Sequence, residues 1–408
     1  GIFMLVNFKF KNFKSFKEET SFSFERGQKR ELNHHIIHAN DKYELLPIKV
    51  IYGSNASGKS NLLEALHMLK MFILRKGIRF QQDDYVDLCS NFDNHKNPIE
   101  FSITFIIDNR EYDYFLSFVN SLKKESKILK ETLKEDKKTI FERTNNRIKF
   151  SSDKEVINEH YKILLEENSQ ELIKKMIEGN IKSTDIFTNW YSTIDSKFCE
   201  KISLYFSNII TIMNTDQFNI NSFIKFDDKN KIYQDKKINK LLKELNVGKE
   251  EVFFKYSEDG KINNFVSYKT DDINIIAPLN TIESKGTIKL IDLLYPLFAS
   301  LQNGTPLFID ELDASIHHEI IYNIIQTFGD PTINTKGAQL IFTTHNPVYL
   351  NKNLLRRDEI VFIEKDNSGS HLHTLDDYNI RNDQVYLKNY LNGNYTVLPN
   401  FDFNNIMK

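Results

Sequence analysis

The chain has 408 residues, of which 40% are hydrophobic, and its formal net charge is −2. This length predicts two or three domain-sized units with packed cores. No window approaches the run of uncharged apolar residues that a membrane span needs, and the start lacks a signal-peptide pattern. Cys89 and Cys199 are the only cysteines and lie far apart, which excludes a disulfide framework. We therefore expect a cytoplasmic protein without a membrane partner.

The near-neutral net charge argues against binding of nucleic acid by the overall charge of the protein. It does not exclude a local basic surface.

The first segments predict strands with one buried face. Between Leu5 and Phe24 apolar residues alternate with polar ones, which is typical of an antiparallel pair at the edge of a domain. Three histidines follow, at positions 34, 35 and 38. No cysteine or carboxylate stands at a ligand spacing beside them, so exposed imidazoles in a loop or strand are a better interpretation than a metal site.

Residues 53–60 read Gly-Ser-Asn-Ala-Ser-Gly-Lys-Ser and match the G-x-x-x-x-G-K-[ST] phosphate-loop template at every fixed position. Residues 48–52, which are apolar except for Lys49, predict a short buried strand before the loop, and the spacing in 61–69 predicts a helix after it. The glycines let backbone N–H groups and the helix N-terminus face phosphates. We expect ATP as the ligand, with Lys59 at the β- and γ-phosphates and the Ser60 hydroxyl on magnesium. The predicted phosphate-binding residues are Asn55, Ala56, Ser57, Gly58, Lys59, Ser60 and Asn61.

A β-hairpin is predicted after this helix. Alternating residues in 98–107 and 112–118 flank a turn at 108–110. With the first strands, the hairpin would form an antiparallel region that holds the base and ribose. Gln81 and Gln82 precede it, where some ATPase families place a glutamine that contacts magnesium and water, and the register leaves open which of them, if either, has this role.

Two basic stretches flank a helical pattern. Residues 121–150 carry ten Lys and Arg against five acids, and residues 225–249 carry eight lysines against four acids. Each stretch is either a solvated surface or a contact for a phosphate backbone. Between 152 and 245 proline is absent and apolar residues follow three- and four-residue steps, which predicts a helical insertion without an extended coiled coil.

The C-terminal part has two strands that end in polar residues. Residues 305–309 predict a buried strand that runs into Asp310 and Glu311. An aspartate there would hold the magnesium shell, and the glutamate would act as general base on the attacking water. Another buried strand, at 338–344, leads to His345, which would lie at the ligand-binding edge of an α/β sheet and contact the γ-phosphate.

The predicted fold class is α/β, a phosphate-loop fold with a mixed β-sheet and an antiparallel β region. The predicted division is an N-terminal lobe at 1–150, the helical insertion at 151–247 and a C-terminal lobe at 248–408. Ser284-Lys285-Gly286 opens a helix in the last part, which by itself is an ordinary helix start.

GSNASGKS, ESKGT, LFIDELDASIH and IFTTHNP, in this order, resemble the Walker A, signature, Walker B with D-loop, and switch-histidine motifs of ABC-type ATPase heads. The similarity is greatest to the branch that contains SMC, RecF and OLD proteins. Within it, the chain is most similar to AAA-type ATPases of bacterial abortive-infection and restriction-linked loci. The similarity spans roughly residues 4–118 and 245–400, and the signature departs from the Leu-Ser-Gly-Gly form of transporters.

The resemblance implies a head-to-tail homodimer that buries two ATP molecules with magnesium. Ser284 and Gly286 of one subunit would contact the ATP held by the other, and Asp313 would cross the interface. Hydrolysis would loosen the dimer. The resemblance does not decide whether dimers assemble into higher oligomers.

The resemblance also implies a function in defence against phage, as a sensor or motor that controls a separately encoded effector such as a nuclease or toxin. We expect no nuclease centre in the chain itself, because too few residues follow His345 to hold the acidic domain of OLD proteins, and Asp83-Asp84 and Asp376-Asp377 are more typical of solvated turns. The alternative is a DNA-binding repair or chromosome ATPase of the RecF or SMC type, which the basic stretches favour.

Overall fold

The computed structural model describes most of the chain. The described residues are 3–78, 90–120, 126–161, 169–215, 220–223, 232–245, 251–256, 262–269, 273–378, 380, 381, 385–396 and 398. The candidate glutamines Gln81 and Gln82, the pair Asp83-Asp84 and Cys89 lie outside the described residues.

The strands in chain order are β1 (Phe3–Lys11), β2 (Thr20–Ser23), β3 (Ile37–His38), β4 (Glu44–Leu45), β5 (Ile48–Tyr52), β6 (Ile99–Ile107), β7 (Arg110–Val119), β8 (Lys127–Glu135), β9 (Lys138–Thr144), β10 (Arg147–Phe150), β11 (Ile210–Ile212), β12 (Ile232–Tyr233), β13 (Glu251–Tyr256), β14 (Ile262–Lys269), β15 (Asn274–Pro278), β16 (Leu307–Ile309), β17 (Leu340–Thr343), β18 (Ile360–Asp366) and β19 (Gly369–Thr374). The α-helices are α1 (Lys59–Leu74), α2 (Lys154–His160), α3 (Ser169–Asn180), α4 (Phe187–Tyr191), α5 (Ser196–Asn208), α6 (Lys236–Glu244), α7 (Leu279–Ile282), α8 (Lys285–Asn303), α9 (His318–Gly329) and α10 (Tyr386–Leu391).

A seven-stranded antiparallel sheet has the order β10-β9-β8-β7-β6-β1-β2. It contains the predicted edge pair, β1 with β2, and the predicted hairpin, β6 with β7. The hairpin turns through Asp108 and Asn109, both with positive φ, which is the backbone geometry that matches the twist of the flanking strands. The sequence therefore predicted this region correctly.

A six-stranded sheet has the order β11-β16-β17-β5-β18-β19. Its first five strands run parallel and β19 is antiparallel to β18. Every residue of β5, β16 and β17 is buried, which explains why these strands are apolar without alternation. Because parallel strands end at one edge, the residues that follow β5, β16 and β17 come together there.

Residues on alternate faces of the six-stranded sheet belong to different hydrophobic cores. Ile51 of β5 packs in the core that contains α1 and the seven-stranded sheet. Val50 and Tyr52 of the same strand pack in the core that contains α8 and α9. The sheet is thus covered on both faces, as all-parallel strands require.

The six-stranded sheet draws on all three predicted parts of the chain. Its strand β5 lies in 1–150, β11 lies in 151–247, and the other four lie in 248–408. The predicted helical insertion contains α2 to α6, but it also contributes β11, whose three residues are too few to give a periodic signal. The proposed domain limits stay a prediction. The predicted end of α6 at Gly248 lies outside the described residues.

A four-stranded antiparallel sheet, β12-β13-β14-β15, precedes α7 and α8. None of the helices in the described ranges is long and apolar enough to cross a membrane.

Candidate functional site

The phosphate loop connects the end of β5 to the start of α1, as predicted. Gly58 precedes α1 with a φ of 111°, a conformation that favours glycine. A Cβ atom on Gly58 would also lie 2.6 Å from the hydroxyl oxygens of Ser15 and Ser370. At the other end of the loop, a Cβ on Gly53 would lie 2.6 Å from the carbonyl oxygen of Ile363. Both template glycines are therefore required by close packing of the loop against its neighbours.

The loop itself is shaped by local hydrogen bonds. The backbone N–H of Ser57 donates to the carbonyl of Ser54 at 3.1 Å. Ala56 has a φ of 62°, and it is exposed together with Asn55. The amide of Asn61 donates to the Ser15 hydroxyl at 2.7 Å, so the first turn of α1 is tied to the loop after β1.

Lys59 is 7% exposed and lies over the loop that it closes. Its Nζ donates to the carbonyl oxygens of Gly53 at 2.6 Å and Ser54 at 3.0 Å. Burial lowers the pKa of Lys59, and the charges of Asp310 and Glu311 act in the opposite direction. The ammonium group is thus held beside the loop, where the charges of the two acids that follow β16 act on it.

Ser60 and Asp310, the two residues predicted to bind magnesium, are in direct contact. The Ser60 hydroxyl donates to Asp310 Oδ2 at 2.7 Å, although 250 positions separate them in the chain. Asp310 follows β16 and Ser60 lies in the first turn of α1, and only β17 separates β16 from β5 in the sheet. A hydroxyl beside a carboxylate is an all-oxygen donor set, which fits Mg²⁺.

Glu311 has a backbone φ of 52°, which is uncommon for a residue other than glycine. Its N–H donates to the Thr343 hydroxyl at 2.7 Å, and its side chain is exposed at the edge where the strands end. Because such backbone strain concentrates at functional sites, this geometry supports a role for the Glu311 carboxylate.

Asp313 and His345 lie in two loops that are joined by Thr344. The Thr344 hydroxyl donates to Asp313 Oδ2 at 2.7 Å and accepts from the N–H of Asn346 at 2.9 Å. His345 is exposed, and the largest effect on its pKa is a lowering by desolvation, followed by the charge of Lys59. Glu311, Asp313 and Asp310 oppose this lowering. A pKa below 6.5 leaves the imidazole neutral at pH 7.

Two threonines of this site were missed by the sequence reasoning. Thr343 donates to Asp310 Oδ1 at 2.6 Å while it accepts from the N–H of Glu311, so one hydroxyl orients both acids. Thr344 connects Asp313 to the loop of His345. The available signal was a pair of hydroxyl residues immediately before the histidine at the end of a buried strand.

Ser284 and Gly286 have their contacts away from the phosphate loop. The Ser284 hydroxyl accepts from the N–H of Thr287 at 3.2 Å and caps α8, and the side chain is exposed. A Cβ on Gly286 would lie 2.6 Å from the carbonyl oxygen of Ser315, in the loop that follows Asp313. The structure thus places this turn beside the loop of Asp313.

The histidine cluster differs from the prediction at one position. His34 and His38 are exposed as expected, whereas His35 is 5% exposed and its Nδ1 lies 2.9 Å from Glu359 Oε1. The expectation of three exposed imidazoles was therefore wrong for His35, because Glu359 is distant in sequence and supplies its buried partner.

A family model described as "AAA domain, putative AbiEii toxin, Type IV TA system" matches residues 48–351. The match begins at β5 and ends after the loop of His345, so it contains the phosphate loop, Asp310, Glu311, Asp313 and His345 and covers well over half of the chain. No curated protein matches the chain.

Proposed function

Because the chain belongs to this AAA-domain family of P-loop ATPases, linked to AbiEii-type toxin–antitoxin systems, we propose that it is an ABC-type ATPase that switches a separately encoded effector in defence against phage. The observation that carries the proposal is the contact between Ser60 and Asp310 at the end of the phosphate loop. It unites a loop that fits phosphates with a donor set that fits magnesium.

The residues have distinct roles in the proposed hydrolysis. Backbone N–H groups of the loop and Lys59 bind the phosphates, while Ser60 and Asp310 hold Mg²⁺. The metal ion supplies positive charge that neutralises the phosphates. Glu311 orients a water molecule and accepts its proton, and the neutral imidazole of His345 forms a hydrogen bond to the γ-phosphate.

Thr343 provides a test of how the two acids are positioned. We expect Thr343→Val to raise the Mg²⁺ concentration for half-maximal ATPase activity by about 10- to 100-fold, as loss of a group that orients a metal ligand does. Thr343 is fully buried and valine has nearly its shape, so the substitution removes the hydroxyl without opening a cavity. The measurement is an Mg²⁺ titration of ATPase activity.

Thr343→Ser keeps the hydroxyl and is the matched control, with an expected Mg²⁺ dependence close to that of the unmodified protein. An unchanged titration curve for Thr343→Val would remove Thr343 from the positioning of Asp310.

We further propose that ATP closes a head-to-tail homodimer in which Ser284 and Gly286 face the nucleotide of the partner. Ser284 is exposed at the N-terminus of α8, a helix of 19 residues whose dipole favours an anion at this end. Its capping bond lies within its own helix, which leaves the surface of this turn available to a second copy. The loop that contains Asp313 and Ser315 packs against Gly286, so Asp313 would approach the same interface.

Charge at Ser284 tests the dimer without disturbing the fold. We expect Ser284→Asp to abolish ATP-induced dimerisation, because aspartate caps a helix as well as serine does but repels the phosphates of the partner's ATP. ATP binding to the separate subunits should persist, since Ser284 makes no part of their phosphate loop. Sedimentation velocity with and without MgATP, in a hydrolysis-deficient background, measures the change.

Ser284→Asn is the matched control, because it retains the cap and adds no charge. A dimer that forms equally well with Ser284→Asp would contradict the proposed arrangement.

A second candidate function, binding of nucleic acid, is favoured by one feature of the seven-stranded sheet. Glu131 and Glu135 of the stretch 126–150 are buried, as is Arg143, so burial removes two acids and one cation from the surface. The exposed surface of this region is therefore more basic than its amino-acid composition suggests. Six cations of 126–150 are exposed, namely Lys127, Lys130, Lys137, Lys138, Arg147 and Lys149.

One pair of measurements distinguishes the two candidates. ATP-dependent binding to plain duplex DNA that falls steeply with salt would favour a repair or chromosome ATPase. Nucleotide-dependent association with the product of a neighbouring gene, together with little DNA affinity, would favour the switch.

A further inference from the structure

A cavity of about 910 Å³ lies beside β11, away from the phosphate loop. Its walls are formed by the middle of α1, by β11 and the end of α5, and by the last turn of α8. β11 is an edge strand of the six-stranded sheet, so the cavity opens along the side of that sheet. The volume is in the range of sites that hold small organic molecules.

Among the described residues that line this cavity, the charged side chain is a cation. Lys70 of α1 lines it, and the Nζ of Lys70 donates to the carbonyl oxygen of Ile209. The described residues that line the cavity include neither aspartate nor glutamate. They do include several neutral hydrogen-bonding side chains, among them Asn208, Ser222, Gln302 and Asn303.

The environment of Lys70 is unfavourable for its charge. Burial lowers the pKa of Lys70 to about 8, and desolvation is the sole cause. Among the described residues no carboxylate affects the pKa of this partly buried ammonium group, and a bound anion would offset the cost of its burial. His67, one turn earlier, has its Nδ1 2.7 Å from the Thr211 hydroxyl. Burial, followed by the charges of Lys70 and Arg75, lowers the pKa of His67 to about 4. The imidazole is therefore neutral and adds no second charge to the cavity.

We propose that this cavity binds a small organic anion whose phosphate or carboxylate group pairs with Lys70. Neutral amide and hydroxyl groups around it provide hydrogen bonds to the rest of such a ligand, and the volume excludes neither a sugar phosphate nor a polycarboxylate.

This site is separate from the ATP site but shares two elements with it. Lys70 lies 11 positions after Lys59 on α1, which corresponds to about 16 Å along the helix axis. β11 pairs with β16, the strand that ends at Asp310. A ligand here would contact both the helix that carries Ser60 and the strand beside the one that carries its magnesium partner. The proposal stands independently of the function proposed above.

Pyridoxal 5′-phosphate is a suitable probe, because it joins an aldehyde to a phosphate. The neutral amine of Lys70 attacks the aldehyde carbon, a C=N bond forms as water leaves, and borohydride reduces that bond to a stable secondary amine. The reaction is run at pH 8 without nucleotide, and each modified lysine is identified separately, so any reaction at Lys59 is not counted. Peptide mass spectrometry then compares Lys70 with the exposed Lys149.

We expect Lys70 to be modified at least about tenfold more than Lys149, because a pKa of about 8 leaves far more neutral amine at pH 8 than an ordinary lysine has. Pyridoxal, which has the aldehyde without the phosphate, is the matched control for the anion. The ratio of Lys70 to Lys149 modification should be at least about tenfold higher with pyridoxal 5′-phosphate than with pyridoxal, because this ratio cancels the lower free-aldehyde content of pyridoxal.

Competition identifies the anion class. Protection of Lys70 by glucose 6-phosphate indicates a phosphate ligand, and protection by citrate indicates a carboxylate. Both compounds should also raise the Tm of the wild-type chain more than they raise the Tm of Lys70→Gln. Equal Lys70-to-Lys149 ratios with the two aldehydes, without protection of Lys70 by either anion, would overturn the proposal. These measurements use the wild-type chain, so they hold even if Lys70→Gln folds poorly.

Discussion

Lys59→Ala is expected to reduce the affinity for ATP by at least about 100-fold. The side chain supplies a positive charge to the phosphates through charge-assisted hydrogen bonds, and a loss of about 2.7 kcal/mol corresponds to this factor. The ammonium group of Lys59 is nearly buried, and burial lowers its pKa. Replacing Lys59 by alanine therefore removes a charge whose burial costs free energy. The nucleotide-free variant should therefore keep its Tm. Equilibrium binding of a fluorescent ATP analogue measures the effect.

Lys149→Ala is the control for charge alone, because Lys149 is exposed on β10 and should leave ATP affinity unchanged. Unaltered ATP binding by Lys59→Ala would defeat the assignment of the phosphate loop.

Glu311→Gln is expected to lower ATP turnover by at least about 100-fold while ATP binding persists. Glutamine has the same shape and accepts the same backbone geometry, including the positive φ at this position, but it cannot accept a proton. The hydrogen bond from its N–H to Thr343 is retained, so the geometry around Asp310 should not change. ATP should therefore hold the proposed dimer closed for longer. Single-turnover hydrolysis and sedimentation velocity measure the two effects.

Glu319→Gln is the matched control, since Glu319 is an exposed acid in the first turn of α9 and lies outside the site. Normal turnover by Glu311→Gln would rule out Glu311 as the general base and leave the water to be activated by another group.

The local motifs were predictable because each depends on a few adjacent residues. The loop that contains Gly58 and Lys59 needs a strand directly before it and a helix directly after it. The apolar spacing indicates the strand and the helix, and the glycines indicate the tight turn between them. Asp310 and His345 were recognised in the same way, as polar residues that directly follow buried strands. These signals need no knowledge of where the strands lie relative to each other.

The order of strands in the sheet was not predictable. In the chain β5 precedes β16 and β17, whereas in the sheet β17 lies between the other two. That position makes Thr343 the neighbour of both acids, and without it the residue resembles any other hydroxyl at the end of a strand. Pairing between distant strands depends on packing over the whole sheet, which local spacing does not record.

Burial of charged groups was equally inaccessible. Glu131 and Arg143 are both fully buried and lie 3.5 Å apart, although each was counted as a surface charge of the basic stretch. His35 found its partner in Glu359, more than 300 positions away. Burial of a charged residue is costly unless the fold supplies an opposite charge or hydrogen bonds, and that supply is a property of the assembled structure.

The order of residues was sufficient to predict the kind of ligand, because phosphate recognition uses backbone N–H groups and a lysine that are contiguous along the chain. Assembly of the folded molecule was needed to show how Asp310 meets Ser60, how Thr343 aligns two acids and how Lys70 comes to face a cavity whose described walls hold no carboxylate. Those arrangements depend on contacts between segments that lie 32 to 250 positions apart, and such contacts form only when the two hydrophobic cores close around the parallel sheet.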